Sequence, residues 1–284
     1  MQMKVYTLRQ AACFLLTVVI LCAFAAIWLD RLVKPVQAIE VFAGETFSVS
    51  MPIELEIEVI KPARETKEAK KVLIYHTHTY EAYEPTPDYT YTATEKWRTA
   101  NQNCNIVRVG KELAALLSTL GYEVTHDTQA YEPPNLSSSY TRSLLMLEKR
   151  LEAGEYYDLH IDLHRDAYSE SMKNNNVINI AGNSVAKLML LIGKGSGQSF
   201  LEKPEWEKNL AIAQSLTDDL NAQANGLCRQ ISLKTGRFNQ HIAPRCVLIE
   251  VGNNKNTMEE ALASLPYLAD AIHNVLEILP EREV

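Results

Sequence analysis

Three short pieces of the 284-residue chain carry side chains that can do hydrolytic chemistry together. They read His76-Thr77-His78-Thr79-Tyr80-Glu81, Asp162-Leu163-His164-Arg165-Asp166 and Leu248-Ile249-Glu250-Val251-Gly252. Two imidazole nitrogens and a carboxylate oxygen hold a zinc ion (Zn2+) and leave a fourth position for water, the pattern of a catalytic site. The metal brings the water's pKa down toward ~7, and a further carboxylate beside it takes the proton and later returns it to the leaving amine. On this reading His78, Glu81 and His164 are the metal ligands and Glu250 is the general base. His76 alternates with His78 and is the rival for the first ligand. Asp162 shares a strand face with His164 and is expected to orient a ligand imidazole. A lone histidine at a strand end is usually structural, so the metal reading rests on the joint occurrence of the three pieces.

Each piece ends an apolar, strand-like run, at residues 72–75, 159–163 and 247–249. In an α/β protein the carboxyl ends of parallel strands gather at one edge of the sheet, where sites are built. The sequence between them alternates accordingly. Ile106, Val107, Val109, Leu113, Leu116, Leu117 and Leu120 fall at helical spacing before Gly121, and residues 122–125 read as a strand. Tyr140, Leu144, Leu147 and Leu151 mark a second helix. Residues 177–180 and 186–192 flank Gly182-Asn183, a hairpin signal. Trp206, Leu210, Ala213, Leu216 and Leu220 give a long helix, and residues 258–279 a single closing one. The expected fold is α/β: a single domain, residues 71–284, with a mixed, largely parallel sheet covered by helices on both faces. The polar stretches 84–103 and 168–176 follow site pieces and are expected to wall a cleft.

Ahead of this domain, residues 11–29 carry no charge and at about 1.5 Å per residue nearly cross a hydrocarbon core of about 30 Å. They are expected to form one transmembrane anchor behind a short cytoplasmic tail, residues 1–10. A cleaved signal peptide is the rival. Its apolar stretch is shorter, about 7–15 residues, whereas this one continues through Ile27, Trp28 and Leu29. Lys4 and Arg9 before the span balance Arg31 and Lys34 after it, so charge does not orient it. Residues 30–70 read as a juxtamembrane linker with an exposed strand near 53–60. The net charge of −7, with no basic stripe, argues against a nucleic-acid partner. Five cysteines, two of them inside the span, are too few for a disulfide scaffold. No Gly-x-Ser-x-Gly stands at a strand-to-helix turn, and Cys246 has no paired histidine nearby, so serine or cysteine catalysis has little support.

The runs His76-Thr77-His78-Thr79-Tyr80-Glu81-Ala82-Tyr83, Asn105-Ile106-Val107-Arg108-Val109-Gly110 and Asp162-Leu163-His164-Arg165-Asp166-Ala167 resemble the stage II sporulation protein P family. So do Arg237-Phe238-Asn239-Gln240, Leu248-Ile249-Glu250-Val251-Gly252 and Asn256-Thr257-Met258-Glu259-Glu260, in order, over roughly residues 70–275. The resemblance implies a membrane-anchored zinc N-acetylmuramoyl-L-alanine amidase acting on peptidoglycan during forespore engulfment, with stem-peptide endopeptidase activity also attributed to it. It implies a catalytic domain outside the cytoplasm, on the mother-cell membrane facing the septal wall. It also implies two partners, the sporulation protein D transglycosylase and the sporulation protein M scaffold. Glu250 matches the glutamate of the amidase Leu-x-Glu-x-Gly motif, and Asn239 is expected at or just behind the substrate. One departure stands out. In the broader amidase group the ligand glutamate lies near the start of the next helix, where this chain reads Arg98-Thr99-Ala100-Asn101-Gln102-Asn103. That favours Glu81 as the carboxylate ligand, with Glu95 the alternative. Two other functions compete: a zinc carboxypeptidase or endopeptidase acting on wall peptides, and an anchored, non-catalytic wall-binding module. The first needs a cation for a free carboxylate, and Arg165 and Arg245 are the candidates.

Overall fold

The computed structural model describes residues 68–173, 175–195 and 204–280. The expected tail, anchor and nearly all of the linker, with its strand near 53–60, lie outside these residues. Among the described residues no helix is long and apolar enough to cross a membrane.

The chain runs β1 (Lys71–Tyr75), α1 (Ile106–Thr119), β2 (Glu123–His126), α2 (Ser139–Glu152), β3 (Leu159–Asp166), β4 (Val177–Ile180), β5 (Asn183–Ala186) and β6 (Leu188–Gly193). It continues α3 (Trp206–Gln223), β7 (Ser232–Lys234), β8 (Cys246–Asn253), α4 (Met258–Ala263) and α5 (Leu265–Ile278). Six strands form one sheet in the order β2-β1-β3-β8-β6-β7. Only β6 and β8 pair antiparallel within it; the other pairs are parallel. The chain leaves β1 through α1 to reach β2, then crosses back through α2 to β3 on the other side of β1. That reversal opens a crevice at the carboxyl ends of β1 and β3, the usual place for a ligand in a wound sheet.

The two faces of the sheet are unequal. Val72 and Ile74 of β1, Leu159, Ile161 and Leu163 of β3, and Val247, Ile249 and Val251 of β8 join one large core. That core also takes Ile106 and Leu113 of α1, Leu216 of α3, and Leu268 and Ile272 of α5. Leu73 and Tyr75 point the other way, into a small cluster with Leu147 of α2 and Tyr157. Since successive strand side chains alternate, Asp162, His164, Leu248 and Glu250 lie on the α2 face. Among the described residues a single helix, α2, covers part of that face, and the candidate site lies on the same face.

Several elements differ from the sequence reading. The closing helix is broken at Ser264, because Pro266 lacks the N–H to continue it and instead begins α5. Thr257 and Glu260 cap α4 reciprocally. The hairpin is β4–β5, turning through Ala181 (φ 51) and Gly182 (φ 89), and the chain then resumes as β6 in the main sheet. Strand β7 is too short and polar to show a period. At the front, the Lys70 ammonium binds the carbonyl oxygens of Leu276 and Leu279, which end α5.

The β3–β8 ladder carries one irregularity. His164 pairs with Glu250 but Asp166 pairs with Asn253, so β8 holds one extra residue. Gly252 absorbs it at φ 67, and a Cβ there would meet Asn256 Oδ1 at 2.7 Å. The left-handed conformation alone costs a larger residue ~1–2 kcal/mol. Gly252→Ala is therefore expected to lower the unfolding free energy read from urea denaturation by at least that much; an unchanged stability would refute this account of the bulge.

Candidate active site

Parallel pairing of β3 and β8 sets His164 directly beside Glu250, and Met189 of β6 flanks Glu250 on the other side. The turn after β1 brings in the rest. The His78 ring meets the His164 ring edge-on at 5.3 Å. Glu81 Oε2 lies 3.4 Å from His164 Nδ1 and accepts from the Arg165 backbone N–H at 3.0 Å. On the far side of the ring, His164 Nε2 lies 2.8 Å from Asp162 Oδ1. His78, Glu81, His164 and Glu250 thus converge, with Asp162 behind the histidine.

The charges are strongly coupled. Burial opposes charge on His164, but Asp162 and Glu81 outweigh it and hold its pKa well above the ordinary value. Burial would also raise the Glu81 carboxyl, yet Arg165 and His164 hold it well below the usual range. His78 is pushed down to about 4 by burial and by the neighbouring His164 charge. Glu250 is pushed up to about 8 by burial, with His164 opposing and Glu81 adding to the rise.

The other residues singled out in the sequence fall in distinct places. His76 is buried and turned away, its ring nitrogens 2.9 Å from the Leu163 carbonyl and 2.8 Å from His126 Nε2. It packs on Gly110, where a Cβ would lie 2.6 Å from its ring. The structure therefore brings His78, and not His76, to Glu81 and His164. Glu95 is exposed in a turn, whereas Glu81 is buried against His164. Arg165 donates to the carbonyls of Ala82 at 3.0 Å and Trp97 at 3.1 Å, so it pins the 82–97 wall behind Glu81. Arg245 is not at the site. It precedes β8, bonding the Pro280 carbonyl at 2.8 Å, and at about 3.3 Å per residue lies about 16 Å along the chain from Glu250.

Asn239 reaches the site through a chain of hydrogen bonds. Its Nδ2 donates to Ser143 Oγ at 2.9 Å, Ser143 Oγ lies 2.8 Å from Thr77 Oγ1, and Thr77 Oγ1 donates to Asp162 Oδ2 at 2.7 Å. Thr77 N–H adds a bond to Asp162 Oδ1 at 2.8 Å. Because Thr77 gives its only hydroxyl proton to Asp162, Ser143 must donate to Thr77 and accept from Asn239. The Tyr140 carbonyl, 3.3 Å from Ser143 Oγ, competes for the same proton.

Two residues at the site escaped the sequence reading. Glu132 is buried 3.9 Å from His78 Nδ1, held by Arg98 and by the Tyr80 backbone N–H at 3.1 Å. Nothing in its Glu-Pro-Pro context marks it. Tyr140, counted as helix core from its spacing, places its ring edge-on to His78 at 5.4 Å and to Phe238 at 5.6 Å. Burial, then Asp162, Glu81 and Glu250, keep its phenol protonated far above neutrality.

The donor set suits a divalent cation. Among the described residues His78 Nδ1 and Glu250 Oε2 are buried without an aligned hydrogen-bond partner, His164 turns its Nδ1 toward Glu81, and Glu81 and Asp162 concentrate negative charge beside them. Among the described residues no three side chains already stand as a formed metal centre. In this arrangement the His164 proton balances the carboxylates, a balance that a cation with neutral His164 would also meet.

A family model described as stage II sporulation protein P matches residues 40–273. The chain belongs to that family. Stage II sporulation protein P of Bacillus subtilis (strain 168) is 26% identical to it over 220 residues, 74% of this chain and 52% of the relative. The chain thus spans about half the length of that relative. Among solved structures, the catalytic domain of CwlV, an N-acetylmuramoyl-L-alanine amidase from Bacillus (Paenibacillus) polymyxa var. colistinus, is 16% identical with a TM-score of 0.44, covering 74% of this chain and 99% of that one. The amidase AmiC2 of Nostoc punctiforme is 13% identical with a TM-score of 0.42, covering 73% and 95%. Likeness at that level is too distant to transfer an activity.

The chain from Asn239 to Asp162 makes Thr77 testable. Thr77→Val keeps the shape but leaves a buried carboxylate short of a donor, at a cost of ~1–3 kcal/mol. Urea denaturation should show that loss, and Thr77→Ser should recover most of it. Equal stability of Thr77→Val and the wild type would show that the chain does not support the fold.

Proposed function

We propose that this protein is a zinc-dependent peptidoglycan hydrolase that cuts the amide between N-acetylmuramic acid and L-alanine. The observation that carries the reading is the β3–β8 register, which sets a buried proton acceptor, Glu250, beside His164, His78 and Glu81. Membership of the family supplies the wall as substrate, and the Leu-x-Glu-x-Gly likeness supplies the choice of bond. His78, Glu81 and His164 would hold the metal. Zinc, when bound, would polarise the scissile carbonyl and make a water acidic enough to attack at neutral pH.

The protein's own groups account for the remaining steps. Among the described residues Glu250 Oε2 has no hydrogen-bond partner, so it is free to take a proton from the attacking water and hand it to the departing amine. Burial pushes this carboxyl up to about 8, and a cation held beside it would draw it back toward the carboxylate that accepts a proton. Asp162 fixes the His164 ring through the contact at Nε2. The 84–103 wall is tied down beyond β8, where Glu84 N–H donates to the Asn256 carbonyl at 2.9 Å.

A carboxypeptidase reading loses its two candidate cations, since Arg165 is engaged by backbone carbonyls and Arg245 lies at the opposite edge. Cleavage of stem-peptide cross-links would use the same groups as the amidase reaction. In this proposal residues 11–29 tether the domain to the membrane, with the site outside the cytoplasm and sporulation proteins D and M as partners.

The tests use the full chain in detergent. His164→Ala should lose bound zinc by elemental analysis, whereas His76→Ala should keep it; full zinc in His164→Ala would sink the ligand assignment. Glu250→Gln should keep fold and metal while turnover on purified sacculi falls ~10²–10⁴-fold. If that variant lost its metal instead, Glu250 would be a ligand. Mass spectrometry of the products should show peptides freed at L-alanine; intact stem peptides on every glycan would overturn the amidase reading. Protease added outside wall-stripped cells should digest the domain, and full protection behind an intact membrane would reverse its placement.

A further inference from the structure

We propose that the Tyr140 hydroxyl contacts substrate, donating a hydrogen bond to the scissile carbonyl oxygen as negative charge builds there. The role rests on the hydrolase reading above and adds a fifth group to that site. Tyr140 stands in the first turn of α2, on the sheet face that carries Asp162, His164 and Glu250. Its ring is wedged edge-on between His78 at 5.4 Å and Phe238 at 5.6 Å. Its own carbonyl accepts from Asn239 Nδ2 at 2.9 Å, which ties its backbone to the chain that ends on Asp162.

The hydroxyl itself is the telling group. The Tyr140 hydroxyl bonds to no described residue, although the side chain is half-buried beside three carboxylates. Its proton is therefore free for an acceptor that arrives with substrate. A substrate carbonyl oxygen arriving over His78 and His164 is an acceptor of the right kind.

The neighbouring loop is built to hold that ring. Phe238 and Asn239 are consecutive non-glycine residues at φ 49 and 54, a strained arrangement of the sort that collects at working sites. Gly193 and Gly236 clear space for the Phe238 ring, since a Cβ on either would come within 2.8 Å and 2.7 Å of it. The strain thus sets Phe238 against Tyr140. Tyr140 keeps its proton throughout; the proton delivered to the amine still comes from Glu250.

Tyr140→Phe removes the hydroxyl and leaves the stacked ring. In the zinc-loaded full chain it should lower kcat on muropeptides ~10²-fold with KM little changed, the mark of a donor that acts mainly in the transition state. Zinc content and Tm should match the wild type. Calorimetry with a phosphinate analogue of the muramoyl–alanine amide should show binding weakened ~10²-fold. Uncleaved muropeptide should bind the Glu250→Gln and Tyr140→Phe/Glu250→Gln forms alike. Wild-type kcat and wild-type phosphinate affinity in Tyr140→Phe would overturn the role while leaving the hydrolase reading intact. A wild-type chain that neither cuts wall nor binds the phosphinate would overturn both.

Discussion

The register between β3 and β8 governs everything else at this site. Side chains on a strand alternate, so a slip of one residue would turn Glu250 into the helix-covered core and bring Ile249 out in its place. The parallel ladder holds His160, Ile161, Asp162, Leu163 and His164 opposite Cys246 through Glu250, without irregularity. Only after the His164–Glu250 pair does the extra residue of β8 enter, at Gly252. The pairing is thus regular as far as the His164–Glu250 pair, and the strand bends away immediately afterwards.

Around that ladder the protein fixes its polar groups from three separate stretches of chain. Thr77 lies just beyond β1, Ser143 on α2, and Asn239 in the loop before β8, yet they form one line of hydrogen bonds onto Asp162. Arg165 does similar work on the other side. Its backbone N–H holds Glu81, while its guanidinium holds the wall that follows Glu81. A catalytic carboxylate and imidazole gain by having their rotamers set before substrate arrives. The unequal sheet faces make this feasible, since a second full helical layer would bury the groups that must meet substrate.

How much of this could be read from the sequence depends on the length of each local pattern. Strands β1, β3 and β8 announce themselves as apolar runs, and the site pieces at their carboxyl ends fall where an α/β fold puts them. The choice between His76 and His78 could not be made, because β1 ends at Tyr75 and strand alternation says nothing of a turn. Glu132 sits in a loop with no period, Asn239 is reached only through the family resemblance, and Tyr140 has the spacing of a core residue while its neighbours put it at the site. Arg245 shows the opposite error. It lies just ahead of a strand whose direction was already known, so its place at the far edge was legible and was overlooked. Pro266 likewise marked the break between α4 and α5.

The order of strands along the chain bears on when the protein becomes competent. β8 is the last strand in sequence but stands in the middle of the sheet, between β3 and β6. A chain emerging from its amino end therefore presents His78, Glu81 and His164 long before it has anything to set beside them. Without β8 the sheet is split, because β6 and β7 have no neighbour joining them to β3. Lys70 adds a second late requirement, since its partners are the carbonyls that finish α5. The candidate site is consequently assembled only in the finished domain, when its two ends meet.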